Sequence, residues 1–136
     1  MDVLCTTCCR QKRDDPGLLP ARERYLSARI RFADAESRRR DLPLRILSGR
    51  FGLLAPETLI PRYDHALQPA DVPRLLPLVA RQLAELGAQR LVLYAEPRHH
   101  AGWEPYYQLL EEACKLGDVA LEVRLVAPEL EAETAS

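Results

Sequence analysis

The sequence predicts an α/β protein: one domain, with a mostly parallel sheet between helices. Three observations carry this. Short β-rich apolar runs alternate with helix-length amphipathic stretches, which is the signature of strands joined by right-handed helical crossovers. The run Leu91-Val92-Leu93-Tyr94-Ala95 is apolar nearly throughout, as in a central strand covered on both faces. A chain of 136 residues fits one hydrophobic core, and neither an internal repeat nor a second domain is visible in it.

Val3-Leu4-Cys5-Thr6-Thr7 reads as the first strand, and the polar stretch from Arg10 to Asp15 with Pro16-Gly17 reads as the loop after it. Ser27 is placed to cap a helix over 28–40, where Ile30, Ala33 and Ser37 share one side. The last turn of that helix, Arg38-Arg39-Arg40, suits the negative end of the helix dipole. Leu44-Arg45-Ile46-Leu47-Ser48 is the second strand. Gly49 and Gly52 follow it and permit backbone shapes or close approaches that a β-carbon would obstruct, while Pro56 and Pro61 keep the next stretch irregular.

Asp71 is the expected cap of a second long helix that tolerates Pro73 in its first turn. Leu75, Leu76, Val79, Leu83 and Leu86 form its apolar stripe, and Gly87 stops it. After the strand at Leu91–Ala95 a further helix spans about 104–116, with Leu109, Leu110, Ala113 and Leu116 inward and Gly117 as its stop. Val119, Leu121, Val123 and Leu125 then alternate with Ala120, Glu122, Arg124 and Val126, as in a half-exposed strand near an edge. Residues 1–126 are thus the expected domain, and 127–136 an acidic flexible tail.

The net charge of -1 hides an asymmetry: residues 1–50 carry 12 Lys and Arg against 7 Asp and Glu, whereas residues 51–136 carry 7 against 13. A basic front half can receive an anionic ligand, although a solvated helix face accounts for many of the arginines. There is no run of about 18 apolar residues, and Met-Asp-Val-Leu-Cys lacks the basic start of a signal peptide. The expectation is a cytoplasmic protein without a membrane partner. Cys5, Cys8, Cys9 and Cys114 do not form the pattern of a secreted disulfide framework and are expected to be thiols.

Ligands of open α/β sheets sit beyond the carboxyl ends of the strands, so the loops Cys8–Arg13, Ser48–Leu53 and Glu96–Trp103 are expected to converge. In the first loop, Lys12 beside Cys9 can lower a thiol pKa or hold an anion; equally, Arg10, Lys12 and Arg13 can serve solubility. In the second, small residues can turn amides towards a ligand and Phe51 can stack on a planar ring, while Leu53 and Leu54 close the core below. Tyr63-Asp64 can meet a base edge, or Asp64 can cap a turn. His99, His100 and Trp103 lie on the third loop. Cys5 and Cys8 have C-x-x-C spacing, and zinc with Cys114 is conceivable, but a second paired knuckle is missing. No metal and no cofactor are expected, and no Walker lysine, dinucleotide fingerprint or Gly-x-Ser-x-Gly elbow occurs.

Four blocks together resemble an uncharacterised bacterial and archaeal domain family: Cys9-Arg10-Gln11-Lys12, Tyr25-Leu26-Ser27, Ile46-Leu47-Ser48-Gly49-Arg50-Phe51-Gly52-Leu53-Leu54, and Ile60-Pro61-Arg62-Tyr63-Asp64. The third block is similar to one in YaaA-type peroxide-resistance proteins, which bind DNA, and the Cys–Lys–Ser arrangement is similar to the central domain of archaeosine synthase, which acts on a modified guanine. The resemblance implies a sandwich of the uracil-DNA-glycosylase type and an association with nucleic acid or a purine-like base. It also implies a shared pocket in which Cys9, Lys12 and Asp64 are catalytic and Tyr25, Ser27, Ser48, Gly49, Phe51, Gly52 and Tyr63 bind substrate. Arg62, between Pro61 and Tyr63, and Arg50 depart from the family pattern. The expected function is binding or processing of a nucleobase or nucleic acid, in base modification or in DNA protection under stress. The alternative, from another class, is a non-catalytic redox-sensing or partner-binding module using Cys5, Cys8 and Cys9.

Overall fold

The computed structural model describes residues 1–126; the segment 127–136, expected to be a flexible tail, lies outside the described residues. In chain order the elements are β1 (Asp2–Thr7), β2 (Leu19–Pro20), α1 (Ala21–Arg24), α2 (Ala28–Arg40), β3 (Leu44–Ser48), β4 (Gly52–Leu54), β5 (Leu59–Ile60), α3 (Asp71–Leu86), β6 (Arg90–Ala95), α4 (Glu104–Leu116) and β7 (Ala120–Leu125). Five strands form one sheet in the order β4-β3-β1-β6-β7. β3, β1, β6 and β7 run parallel, and β4 folds back antiparallel on β3. This is a single-domain α/β fold with a mostly parallel central sheet flanked by helices.

Alternation along the strands divides the core into two faces. Val3 and Cys5 of β1 and Leu91 and Leu93 of β6 meet Val79 and Leu83 of α3 and Leu109, Leu110 and Ala113 of α4. Leu4, Leu44, Val92 and Tyr94 point the other way, towards Ala33 of α2. Burying each such aliphatic side chain stabilises the fold by about 1.5–3 kcal/mol. Ser27 caps α2 as the sequence predicts, accepting from the amide of Ile30 at 3.2 Å. Gly87, in the left-handed region at φ 66°, ends α3. Among the described residues no helix is long and apolar enough to cross a membrane.

Several local expectations are corrected. Ser48–Gly52 is not the entry to a long irregular segment but a tight hairpin turn: Ser48 pairs with Gly52, and Leu53 and Leu54 are already in β4. Gly52 at φ 74° supplies the left-handed residue the turn needs. β2 and β5 pair with each other across the proline-rich stretch; strands of two residues carry no periodicity to read. Leu116 continues the stripe of α4 but is 67% exposed, because no described element covers the last turn. β7 is an edge strand, yet only Leu121 packs against the core; Val123 and Leu125 are left open, whereas Val126, placed in the outward set by alternation, is buried on the α2 side.

Asp71 lies inside the first turn of α3 rather than at its cap, and its carboxylate reaches backwards. Oδ2 accepts from the Gln68 amide at 2.9 Å, Oδ1 meets Arg74 Nη2 at 3.0 Å, and His65 Nε2 lies 2.8 Å from Oδ2. The Gln68 amide, followed by Arg74, holds this carboxyl down at about 2 against an ordinary 3.8. A folded-state pKa below the unfolded value stabilises the protein above pH 3.8, and that contribution is lost as pH falls towards 2. Asp71→Asn is expected to cost about 1–2 kcal/mol at neutral pH. In urea titrations between pH 5 and 2, the variant's stability should fall less steeply than that of the wild type.

Candidate functional site

The site grows from the carboxyl end of β1. The amide of Cys8 still donates to Leu47 O at 2.9 Å, so the chain leaves the sheet with Cys8 at its rim. The following loop is held by ladder-like bonds to the segment before α2: Leu26 N to Gln11 O, Arg13 N to Arg24 O, and a bridge between Lys12 and Tyr25. Beneath it lies Arg24, 0% exposed. Its Nη1 donates to the carbonyls of Arg13 and Asp15 at 2.9 Å each, and its Nη2 donates to those of Gly17 and Ile60 at 2.7 and 3.3 Å. A buried guanidinium, fanned over four carbonyls, thus ties the loop to β5.

Between this loop and the hairpin turn sits a cluster of hydroxyl groups. Ser48 Oγ accepts from the amides of Arg50 and Phe51 at 3.1 Å each and lies 2.8 Å from Tyr63 Oη. With two donors already on its oxygen, Ser48 donates its own proton to Tyr63. Tyr63 is in turn hydrogen-bonded to Tyr25. Lys12 Nζ lies 4.6 Å from the Tyr63 ring centre and 5.7 Å from that of Tyr25, and donates to Cys9 O at 2.9 Å. The ammonium is therefore pre-positioned by aromatic faces and a carbonyl rather than by a carboxylate. Burial, with Cys8 alongside, raises the phenols of Tyr25, Tyr63 and Tyr106, so all three are neutral hydroxyls near pH 7.

A cavity of about 320 Å³ opens in front, lined by Cys8, Cys9, Arg10, Lys12 and Tyr106 on one side and by Asp64, His65 and Ala66 on the other. Tyr106 spans the two walls: its hydroxyl lies 3.2 Å from Cys8 Sγ and accepts from the Leu67 amide at 3.1 Å. Gly49 makes the second wall possible. A β-carbon there would lie 2.6 Å from Leu67 N and 2.9 Å from His65 O, so only glycine lets this segment cross the hairpin turn. Beyond Cys8 lies a second recess of about 250 Å³, bounded by Arg29, Glu96 and Trp103. Arg29 is buried, stacks 4.8 Å from the Trp103 ring centre and donates to Thr7 O at 2.9 Å.

Of the residues expected to share a pocket, Cys9, Lys12 and Asp64 line the cavity, and Tyr25, Ser48 and Tyr63 form the hydroxyl cluster behind it. Ser27 is used as the cap of α2. Phe51 does not reach the cavity; it packs edge-on against Tyr63 at 5.2 Å and carries Arg50 over its face. Gly49 and Gly52 act through backbone packing, Gly52 facing Gln82 and Leu78 of α3. His99 lies edge-on to His100, which faces Glu96 at 3.0 Å, and neither histidine lines the cavity that holds Lys12. Cys8, Cys9, Arg10 and Tyr106 each border both cavities; sequence reasoning named Cys9 but gave Cys8 no part in the pocket, and it missed Tyr106 entirely. Tyr106 stands in the apolar stripe of a helix, where nothing local separates a core tyrosine from one that reaches a site.

Burial raises the Cys5 thiol, and raises Cys114 to about 11, so neither is a reactive thiolate at neutral pH. Cys9 Sγ donates to Gln11 O at 3.0 Å. Among the described residues no group of three or more His, Cys, Asp or Glu side chains could hold a metal ion. No curated protein and no solved structure matches the chain. Residues 3–126 match the family described as DUF6884, a family of unknown function, and the chain belongs to it.

Proposed function

We propose that the chain binds a nucleobase-bearing ligand, with the base in the cavity between the Cys8–Lys12 loop and the 64–66 segment. The observation that carries this reading is the lining itself. One cavity of about 320 Å³ combines the Tyr106 and cysteine walls with an oriented ammonium, the Arg10 guanidinium and the Asp64 carboxylate. A planar heterocycle needs an apolar slot and a few polar groups at its edge, and Asp64 can accept from a ring or exocyclic N–H. Its phosphate or ribose needs cations at the mouth, which Arg10 and Lys12 supply. The similarity of the sequence blocks to YaaA-type proteins and to archaeosine synthase supports the same class of ligand, and with it a sandwich related to uracil-DNA glycosylases. Processing of the base would fall to Cys9, Lys12 and Asp64, with Cys9 as nucleophile or as pocket wall.

Lys12→Ala is expected to weaken binding of oligonucleotides by about tenfold and to reduce the slope of log affinity against log salt by about one. Fluorescence anisotropy across a salt series measures both. Absent or salt-independent binding to DNA, RNA and free bases would sink the proposal.

A further inference from the structure

The two edges of the sheet are treated differently. At the β4 edge the outward backbone groups are closed by a side chain: Leu53 N donates to Gln82 Oε1 at 2.8 Å, and Gln82 Nε2 donates to Leu53 O at 3.1 Å. At the β7 edge no described element plays that part. β7 uses its even-numbered residues to bond β6, with Ala120 N donating to Gln89 O and Val126 N to Ala95 O, 2.9 Å each. In a parallel ladder the N–H and C=O of one residue point the same way and the direction alternates along the chain. The backbone groups of Leu121, Val123 and Leu125 therefore face outwards. Unpaired strand edges are usually blunted by charged side chains, lysine above all, by proline or by a bulge. The sequence Ala-Leu-Glu-Val-Arg-Leu contains neither proline nor lysine, and its pairing with β6 runs without a bulge.

The side chains at this edge are self-complementary. Leu121, Val123 and Leu125 lie on the α4 side, with Val123 40% and Leu125 63% exposed. Glu122 and Arg124 lie on the other side, joined within the chain at 2.6 Å, and Glu122 also meets Arg90 of β6 at 3.4 Å. Two copies of β7 placed antiparallel about a two-fold axis at Val123 bring Val123 opposite its own copy and Leu121 opposite the second copy's Leu125. Glu122 then stands opposite the second copy's Arg124, twice over. The same register aligns the outward N–H and C=O groups of residues 121, 123 and 125, giving three hydrogen-bonded residue pairs. A register shifted by one residue would set inward backbone groups against outward ones, and one shifted by two would break the charge pairing.

We infer that a second copy of this chain docks on β7, joining the two sheets edge to edge in this register. The interface is a five-residue ladder, smaller than that of a standard stable complex, so association is weak and concentration-dependent, on the order of tens of micromolar. Sedimentation equilibrium of the full chain should show a mass rising from 15.4 kDa towards twice that value with concentration. Glu122→Arg places two arginine pairs across the axis and Arg124→Glu two glutamate pairs, so each variant alone should associate about tenfold more weakly. An equimolar mixture of the two restores both opposite-charge pairs and should form a heterodimer. Val123→Pro removes only an outward N–H, so it should remain folded by circular dichroism and be monomeric. A wild type that is monomeric at all concentrations overturns the inference, whether residues 127–136 or a different protein cover the edge. So does a mixture that fails to recover association, or a folded Val123→Pro that still dimerises.

Discussion

Arg24→Ala is expected to destabilise the protein by about 3–5 kcal/mol, measured as a lowered urea midpoint with an unchanged slope. The guanidinium is fully buried and contacts the carbonyls of Arg13, Asp15, Gly17 and Ile60. Removing it strips these oxygens of their donors, of which the Ile60 carbonyl is the most deeply buried, and an unsatisfied buried acceptor costs about 1–3 kcal/mol. Arg24→Lys keeps the charge but supplies its donors from one point rather than from a planar fork. It should therefore recover only part of the loss. The loop that Arg24 ties down carries Lys12, so hydrogen exchange at residues 10–17 should accelerate in the alanine variant by more than global destabilisation alone predicts. Unchanged stability would mean that the four carbonyls are served by water instead.

Gly49→Ala is the second substitution with a large expected effect. Its β-carbon would stand 2.6 Å from Leu67 N and 2.9 Å from His65 O, both backbone atoms with no side chain to swing aside. Relief requires the 65–67 segment to move as a whole, at a cost of about 2–3 kcal/mol. That movement stretches the bond from Leu67 N to Tyr106 Oη and withdraws Asp64 and His65 from the cavity. Thermal melts give the stability loss, and exchange of the Leu67 amide reports the site. If Leu67 stays protected and the melting temperature is unchanged, Gly49 is not the residue that positions this wall.

The strands and long helices were legible because their signals are local. Leu75, Val79 and Leu83 recur at helical spacing, Leu91–Ala95 is continuously apolar, and Gly87 stops a helix whatever lies around it. The short elements were not legible. Leu19-Pro20 and Leu59-Ile60 become strands only by pairing with each other, and the Ser48–Gly52 turn is decided by where β4 finds its partner. At the candidate site, the residues on two loops could be listed from the sequence, but not their roles. Phe51 and Cys9 look alike as loop residues, yet one packs behind Tyr63 and the other lines the cavity.

The sequence by itself therefore determined the α/β class, the order of the main elements and the end of the sheet at which the chemistry-bearing loops lie. Hydrophobic periodicity and strand-end geometry need no knowledge of distant residues. Only the tertiary structure decided that Cys8 and Tyr106 join the two cavity walls, that Arg24 and Gly49 position them, and that one sheet edge is closed by Gln82 while no described residue pairs with the outer edge of β7. Each of these depends on atoms many residues apart meeting within about 3 Å, the range at which hydrogen bonds and close packing act. No local pattern encodes such a meeting; the register of the packed sheet and helices does.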